Sequence, residues 1–538
     1  MPHDEIESEG TGALGRTAGH PRRWWVLASL VVSLVLVVLD TSIVSVALRT
    51  LALPAPAGLG ASSGELQWAV DSYTLVFASL LITGGVAADR FGRKRTLLAG
   101  LLVFGAFSAA SAYAQHAGQL VAARAGLGIG AALVVPATLA IITDVFPARE
   151  RPKAIGLWAA SAGLAVAIGP VTGGLLLEHF WWGSIFLINV PIVLAGFAAI
   201  AAVVPESADP AGSRFDPPGI LLCVAGLCLL VLGIVKGGEA DTWTAPPVWG
   251  NTLAGLAVLA LFVLWERRSS HPVVDLGWFR QARFSAAAAA IAVVFFGLLG
   301  TSFYMIFYLQ SVRGYSSLRA GCCLLPLAAA QLAFSPQSTA LVRRFGVRAV
   351  CTAGLLLTAL TFLGVSTLDQ HSPIWRCEVL FFMMGSAMGL VMPAATTAAM
   401  ATLPDRASGA GAALLNALRQ VGGALGVAVL GSILSSHYRD RIQEPLSLLP
   451  AGLRPLAGES VAGTLTVADR LGPRGAPLAA DAVHAFVSAQ RVTSLAAAGV
   501  MLLGAVAVFV FLPRHREHRD PAAQRTTSPE GGLEFRTE

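Results

Sequence analysis

The sequence is dominated by blocks of about twenty consecutive, mainly apolar residues. A helical block of that length crosses the ~30 Å hydrocarbon core of a bilayer. Over the 538 residues, 55% are hydrophobic and 13% are charged, about half the charge typical of a soluble domain, and the mean hydropathy is +0.69. A soluble fold cannot bury so much apolar surface. The composition excludes a soluble enzyme and a disordered protein, and it predicts an all-helical, multi-pass membrane protein.

Fourteen segments are predicted to be membrane-spanning helices. They are residues 24–48, 66–88, 96–115, 119–146, 152–177, 183–204, 217–236, 248–265, 285–311, 317–341, 348–367, 374–401, 408–435 and 491–512. An even number of spans places both termini on the same side of the membrane. Lys and Arg are concentrated in the connections on that side, and the positive-inside rule therefore predicts cytoplasmic termini.

An internal repeat divides the chain into two halves. Residues 88–102 match residues 342–356 at seven of fifteen positions, including Arg-Phe-Gly in both copies. Each copy follows the second predicted helix of a unit, so each unit is expected to have six helices, and the spacing leaves room for two more between the units. Such repeats are typical of transporters whose two halves rock around a central site.

The predicted organisation is therefore six, two and six helices. It comprises a cytoplasmic tail, an N-terminal bundle, two extra helices with linkers, a C-terminal bundle and a second cytoplasmic tail. Their ranges are 1–23, 24–204, 205–284, 285–512 and 513–538. Within the C-terminal bundle, residues 436–490 form a long outer connection, which we expect to be a solvated loop, with a lid as the alternative.

A short loop motif after the second predicted span combines glycines with charges of both signs. Its residues are Gly85, Asp89, Arg90, Gly92, Arg93 and Lys94. The glycines allow two helix ends to approach each other, and Asp89 can pair with the arginines. A charge cluster that forms in one conformation and breaks in another would act as a gate latch; an ordinary positively charged loop is the alternative. The second copy has Arg343 in place of the acid, which predicts a weaker or differently partnered latch.

The fifth predicted span carries a run of small residues around one proline. These residues are Gly163, Gly169, Pro170, Gly173 and Gly174. Small residues let membrane helices pack closely, and proline removes one backbone hydrogen bond from the helix. The run predicts a close helix contact with a kink, and a generic packing face is the alternative.

Three charged residues of the first half, Asp40, Asp71 and Arg124, fall inside predicted spans. Counted at ~1.5 Å per residue from the helix ends, they lie at a similar depth. Charges in hydrocarbon are costly and mark functional sites. A buried carboxylate beside a cation stays ionised, and it takes up a proton when the cation moves away. We therefore predict Asp40 as proton carrier, Asp71 as second choice and Arg124 as the tuning partner; a static ion pair is the alternative.

These motifs resemble those of the major facilitator superfamily. The loop containing Asp89 is similar to its loop signature, and the fifth span is similar to its antiporter signature, which is found in exporters. Residues 39–48, 68–73, 185–191 and 416–429 resemble the fourteen-helix drug:proton antiporter family. The resemblance implies a major facilitator fold in the bacterial cytoplasmic membrane, and a proton-coupled antiporter that exports hydrophobic or cationic drugs or antibiotics.

The second half offers candidate substrate-binding residues. Arg419 falls near the midplane of its span, and its partner could be Asn416, Gln420, a backbone carbonyl or an anionic substrate. Aromatic residues of the ninth span could line a cavity for varied apolar ligands, although such side chains also commonly face lipid. These residues are Phe295, Phe296, Phe303, Tyr304, Phe307 and Tyr308, with Gln331 and Met388 as further candidates nearby.

Other functions lack the residues that they would need. The sequence has no phosphate-binding loop, which argues against ATP as the energy source. It shows no nucleophile–base arrangement, no metal-ligand spacing and no concentrated basic face, which argues against an enzyme, a metal or cofactor site, and nucleic-acid binding. The expected partners of a monomeric chain are a small substrate, protons and the lipid bilayer. A dedicated exporter of one endogenous metabolite or antibiotic and a non-transporting membrane sensor stay open as alternatives.

Overall fold

The computed structural model is helical through most of the chain. It describes residues 20–51, 58–61, 63–147, 149–207, 216–239, 246–269, 276–404, 408–447, 449–450, 452–459 and 461–513. No β-strand occurs within these ranges. The two predicted tails lie almost entirely outside them.

Seven helices form the first half of the protein. They are α1 (Arg23–Leu51), α2 (Ser63–Phe91), α3 (Arg93–Ala112), α4 (Ala117–Val145), α5 (Arg151–His179), α6 (Ser184–Leu187) and α7 (Asn189–Val203). The start of α4 is capped by His116, whose Nδ1 accepts a hydrogen bond from the Gln119 backbone N–H at 3.3 Å. The short α6 and α7 follow each other directly and together coincide with the sixth predicted span.

The remaining helices follow in chain order. They are α8 (Pro217–Glu239), α9 (Pro246–Glu266), α10 (Ala282–Phe307), α11 (Ser317–Cys322), α12 (Leu325–Val365), α13 (Ile374–Met400), α14 (Ser408–Ser447), α15 (Arg454–Glu459), α16 (Val461–Arg470) and α17 (Ala476–Phe511). A 3₁₀ helix at Leu276–Arg280 precedes α10, and a π-helical turn at Tyr308–Val312 follows it.

Within the described residues, 12 helices are long and apolar enough to cross a membrane. One of them, Arg319–Val365, has 47 residues, about twice the ~20 that one span requires. It contains Gly346, whose φ of 83° and ψ of 157° are not helical. The apolar part of α8, Pro217–Gly233, is shorter than these candidate spans. The break at Gly346 falls between the tenth and eleventh predicted spans.

The two halves meet mainly along two pairs of helices. In the first half α2 packs on α4, and in the second half α10 packs on α14 and α12 on α13. Between the halves, α5 packs on α12 and α2 on α14. Helices α8 and α9 pack on each other, and α8 also contacts α2 and α14. The exposed side of α9 is apolar, with Trp249, Leu253 and Leu264 at least 50% exposed, as expected of a surface that faces lipid.

The connection at 436–490 is largely helical, so the expectation of a solvated loop is wrong for its described part. Helix α14 continues to Ser447, and α17 begins at Ala476. Between them, α16 buries Val461, Thr464 and Val467 at helical spacing. A small separate core forms from residues Leu449, Ala457, Val467, Ala468 and Leu478. This core gives the segment a defined structure of its own.

Candidate functional site

A buried ion pair joins two helices of the first half. Asp40 on α1 and Arg124 on α4 are at most 1% exposed, and the Arg124 guanidinium donates a hydrogen bond to the Asp40 carboxylate. The Arg124 Nε also donates to the Ala69 carbonyl of α2 at 3.1 Å. An unpaired buried charge is strongly destabilising. The pairing therefore allows both charged groups to remain inside the helix bundle.

A third side chain, Asn189, holds the other oxygen of the carboxylate. Its Nδ2 donates to Asp40 Oδ1 at 2.9 Å and lies 3.1 Å from Ser108 Oγ. The Ser108 hydroxyl in turn donates to the Phe186 carbonyl at 2.8 Å. Sequence reasoning noted Asn189 only as part of a family-like segment. Its position as a polar residue at the start of an otherwise apolar helix was the signal that could have found it.

Tyr73 lies between the ion pair and the space between the halves. The Arg124 guanidinium carbon is 4.5 Å from the centroid of the Tyr73 ring. A cation against an aromatic face is attracted by the electrons of the ring. The Tyr73 hydroxyl lies 3.5 Å from the Val37 carbonyl of α1. Because Tyr73 also lines the central cavity, it physically connects that cavity to Arg124.

Asp71 lies two residues before Tyr73 on α2 and is half-buried. It is at the level of the ion pair, since Arg124 reaches the carbonyl of the nearby Ala69. The ion pair itself, however, joins Arg124 to Asp40. The structure therefore brings two of the three predicted charges into direct contact, and Asp71 is not part of that ion pair.

A cavity of about 260 Å³ lies between the two halves. Its walls come from α1, α2, α4 and α5 on one side and from α10, α12, α13 and α14 on the other. Most of the lining is aliphatic or aromatic, and Arg419, Asn416, Gln420 and Gln331 supply much of its polar surface. An apolar cavity with a few polar groups is the usual form of a small-molecule site.

Arg419 projects from α14 into this cavity between two aromatic rings. Its guanidinium carbon lies 4.7 Å from the Phe295 ring centroid and 5.6 Å from that of Trp158. Its Nε has no hydrogen-bond partner among the described residues. Of the partners considered for Arg419, Asn416 donates instead to the Ala412 carbonyl at 2.9 Å.

The aromatic candidates of the ninth span are divided by the structure. Phe295 lines the cavity. Tyr304 is fully buried away from it, with its hydroxyl 3.1 Å from Ser494 Oγ on α17. Phe307 is half-buried and does not line the cavity either, and the Phe303 side chain lies outside the described part of the structure.

Gly163 and Pro170 of α5 contact the second half. Gln331 of α12 donates through Nε2 to the Ala159 carbonyl at 3.0 Å, and its side chain occupies the space that a Cβ at Gly163 would fill. A Cβ at Gly321 of α11 would lie 2.9 Å from Pro170 Cβ.

The other glycines of the run differ in their surroundings. A Cβ at Gly169 would overlap the Ser42 side chain of α1, and one at Gly173 would lie 3.4 Å from the Ile43 carbonyl. Gly174 has open space beside it. The first glycine of the run therefore faces the second half, whereas Gly169 and Gly173 face α1.

The loop motif forms an ion network where α2 meets α3. Arg93 lies 3.4 Å from Asp89 and also 3.4 Å from Asp144, near the end of α4. Arg90 stacks on Phe91, with the guanidinium carbon 5.6 Å from the ring centroid. Asp144 was not identified from the sequence, because nothing in its local pattern indicates a partner on another helix.

Glu206 is a further acidic partner of the same loop. Gly92 has a φ of 105°, a conformation that glycine adopts at little cost, and a Cβ there would lie 2.5 Å from Glu206 Oε1. Lys94 donates through its backbone N–H to the same oxygen at 3.3 Å and through Nζ to the Ala201 carbonyl at 2.8 Å. Gly85 is buried within α2. The first copy of the repeat thus has acidic partners beyond Asp89.

The second copy keeps the backbone conformation without the acids. Gly346, equivalent to Gly92, has a φ of 83°. Arg344 stacks on Phe345 at 5.2 Å, as Arg90 stacks on Phe91. No ion pair between described residues includes Arg343 or Arg344.

Comparison with known proteins finds relatives across nearly the whole chain. The family model of the Major Facilitator Superfamily matches residues 22–427. The methyl viologen resistance protein SmvA of Salmonella typhimurium is 33% identical over 501 residues, which are 92% of this chain and 99% of that protein. The tetracenomycin C resistance and export protein of Streptomyces glaucescens is 32% identical over 516 residues, 95% of each chain.

Among solved structures, a bacterial homologue of the human lysosomal transporter Spinster aligns with a TM-score of 0.59 at 17% identity. The alignment covers 91% of this chain and 97% of that one. At this identity the likeness supports the fold alone. The matches confirm the helical fold and the multi-pass cell-membrane location that were expected from the sequence, and the chain belongs to the Major Facilitator Superfamily.

Proposed function

We propose that the protein is a proton-coupled exporter of small hydrophobic compounds such as drugs or antibiotics. The observation that carries the proposal is the buried Asp40–Arg124 pair, which lies directly behind Tyr73 in the wall of the central cavity. Relatives named for methyl viologen resistance and for tetracenomycin C resistance and export support transport out of the cell.

Proton exchange at Asp40 would change the wall that touches the substrate. A proton on Asp40 neutralises its carboxylate, so Arg124 loses its charged partner and can move to other acceptors. Because Tyr73 stacks on Arg124, such a movement alters one side of the cavity. Conversely, a substrate held against Tyr73 keeps Arg124 in one position and changes the tendency of Asp40 to hold a proton.

One proton per cycle supplies enough energy for useful export. A charge that moves through 100 mV contributes about 2.3 kcal/mol. At ~1.4 kcal/mol per tenfold change, this free energy supports a concentration ratio of about fifty. Asp71, at the same level of the bundle, would serve as a second carrier where a steeper ratio is required.

The membrane domain is proposed to have fourteen spans in a six, two, six arrangement, with cytoplasmic termini. This number follows from dividing α12 at Gly346 and adding Pro217–Gly233 to the 12 longer candidates. The matching positive φ of Gly92 and Gly346 supports the division, since both glycines then lie in loops between spans. Helices α8 and α9 are the proposed extra pair between bundles 24–204 and 285–512.

The loop between α2 and α3 is proposed to act as a conformational latch. Its support is that Arg93 contacts carboxylates on two helices, Asp89 on α2 and Asp144 on α4. A relative movement of α2 and α4 would break one of the two Arg93 contacts while the other remains. The network therefore offers an energetic preference for one arrangement of the first half.

The test measures transport into proteoliposomes that contain the protein in inside-out orientation, under an imposed pH gradient. The probes are three aromatic dyes of similar size, one cationic, one neutral and one anionic, so that charge preference does not decide the result. We expect gradient-driven uptake of at least one dye by the wild type and none by Asp40→Asn. Asp481→Asn, which removes an exposed carboxylate of α17, is the matched control and should transport as the wild type does.

The role of Tyr73 is tested by two variants. Tyr73→Phe keeps the ring over Arg124 and should retain most of the coupling. Tyr73→Leu removes the ring and should uncouple substrate binding from proton release, so that adding dye no longer releases protons from purified protein. Wild-type protein that moves none of the dyes, or an Asp40→Asn variant with normal flux, would refute the coupling mechanism.

A dedicated exporter of one antibiotic is the second candidate. The relative named for tetracenomycin C resistance and export, with 95% coverage of both chains, favours it. A substrate panel distinguishes the two functions, because a broad exporter moves several unrelated scaffolds and a dedicated exporter moves one.

A further inference from the structure

We propose that the central cavity selects planar aromatic substrates with an anionic group, such as a phenolate or a carboxylate, and that Arg419 binds this group. The proposal rests on the export function proposed above and specifies its substrate class. It differs from the expectation of hydrophobic or cationic substrates that the sequence alone supported.

The first argument is the environment of Arg419. Its guanidinium lies between the rings of Phe295 and Trp158, and no ion pair between described residues includes it. The Nε has no hydrogen-bond partner in the described part of the chain. A guanidinium has five N–H donors in a planar fork that matches a carboxylate or another planar anion. Donors left without a partner in a mainly apolar cavity carry a cost that a bound anion would remove.

The second argument is the charge balance of the cavity. Arg419 is the only Asp, Glu, Lys, Arg or His among the described residues that line the cavity. Asp40 lies behind the wall, where Arg124 compensates its charge. The cavity therefore presents an uncompensated positive charge in a region of low dielectric. Such a site favours an anion and disfavours a cation, which would be placed beside a like charge.

The third argument is the shape and chemistry of the walls. Tyr73, Phe77 and Phe295 supply flat aromatic surfaces, and Asn416 and Gln420 lie beside Arg419 on α14. Flat aromatic walls favour planar rings, and the amides can hydrogen-bond to oxygen substituents. The volume of about 260 Å³ is just below the common range for small-molecule sites, which starts near ~300 Å³. A small fused-ring compound with an acidic oxygen matches these features.

The experiment compares two dyes with one skeleton and opposite charges. The methyl esters of fluorescein and rhodamine share a xanthene ring system; at pH 8 the former is a monoanion and the latter a cation. Binding to full-length protein in nanodiscs is measured by fluorescence polarisation without a pH gradient, with empty nanodiscs as the blank. We expect the wild type to bind the fluorescein ester at least about tenfold more tightly, the size of one charge-assisted hydrogen bond.

Variants test whether Arg419 causes the preference for the fluorescein ester. Arg419→Gln should lose the preference, and Arg419→Lys should keep most of it because the positive charge remains. Gln420→Glu places a negative charge in the cavity wall and should shift the preference toward the rhodamine ester. The control Arg376→Gln removes an arginine at the outer part of α13 that does not line the cavity, and it should bind both dyes as the wild type does.

The outcomes separate this inference from the proposed function. Equal binding of the two esters, preference for the rhodamine ester, no binding of the fluorescein ester, or an unchanged preference in Arg419→Gln overturns the inference. Gradient-driven transport of the rhodamine ester alone would leave the exporter intact and remove the anion preference. Arg419-dependent binding of the fluorescein ester without any gradient-driven transport would remove the proposed function and leave the inference.

Discussion

The two halves of the molecule share a backbone plan and differ in the placement of charge. Gly92 and Gly346 have positive φ at equivalent positions, and each follows an arginine–phenylalanine stack. The ion pairs between described residues all lie within residues 23–206. In the second half, Arg419 faces the cavity without such a pair.

Under the proposed function, this difference would give the two halves separate roles. Paired charges can be made and broken as a proton arrives or helices move, so we propose that the first half carries out proton exchange and latching. An unpaired cation in an apolar cavity is equipped to bind a ligand. Repetition of the backbone preserves the helix arrangement, while changes in a few side chains give each half its own chemistry.

The largest expected effects come from removing the Asp40 and Arg419 charges separately. Asp40→Asn should abolish gradient-driven transport while dye binding stays within about twofold of wild type. Arg419→Gln should weaken binding of an anionic dye about tenfold or more, yet whatever transport remains should still follow the pH gradient. Measuring binding in nanodiscs and flux in proteoliposomes for both variants tests this separation of roles. Loss of coupling in Arg419→Gln would contradict it.

The two copies of the loop should respond unequally to removal of a charge. Asp89→Asn removes one of the two carboxylates that contact Arg93, and we expect a several-fold loss of transport. Arg343→Gln, at the equivalent position, removes no ion pair between described residues and should change transport less than twofold. Flux measured at equal protein density makes the comparison, and equal losses in both variants would show that the second copy has an equivalent latch.

The contact between the halves is expected to depend on one glycine of α5. In Gly163→Ala the new Cβ would displace the Gln331 side chain and break its bond to the Ala159 carbonyl, at a cost of about 1 kcal/mol. Gly174→Ala in the same helix meets open space and should be neutral or slightly stabilising. Thermal unfolding in detergent compares the two variants. If the Gly163→Ala protein is as stable as Gly174→Ala, the Gln331–Ala159 contact contributes little to the stability of the fold.

The smallest effect is expected at Glu150, outside the spans. Its bond to Arg23, with Nε 2.7 Å from Oε2, lowers the pKa of the Glu150 carboxyl. A carboxyl with a lowered pKa stabilises the fold above its ordinary value near ~4.3, and the gain is lost as the pH falls through the lowered value. Glu150→Gln should therefore lower the Tm slightly at pH 7, and the difference should shrink as the pH falls below the ordinary pKa of the carboxyl. A difference that grows at acid pH would contradict this sign.

Much of the fold was predictable because the bilayer imposes a simple rule on sequence. Each helix must satisfy its own backbone and cover ~30 Å with apolar side chains, so the spans are visible as local patterns. The predicted end of α14 and the predicted start of α17 were wrong by more than ten residues, since both helices extend beyond their apolar parts. There, α14 packs against α15 and α17 packs against α16.

The candidate site was predictable in part. The cost of charge in hydrocarbon identified Asp40 and Arg124, and the structure pairs them. The same rule could not identify Asn189 or Tyr73, because neutral polar and aromatic residues are common in spans. The aromatic residues of the ninth span were predicted as one set of cavity candidates, although Phe295 faces the cavity and Tyr304 contacts Ser494.

The sequence by itself determined the membrane location, the helical class, the repeat and the few buried charges, because each depends on composition along a short stretch of chain. Only the tertiary structure decided which groups meet: Asp40 with Arg124 and Asn189, Arg93 with Asp144, and Arg419 with the cavity. These contacts depend on how each helix is rotated and which neighbour it packs against. Both are set by packing between residues that are far apart in the chain, 149 positions in the case of Asp40 and Asn189, and local periodicity carries no record of that packing.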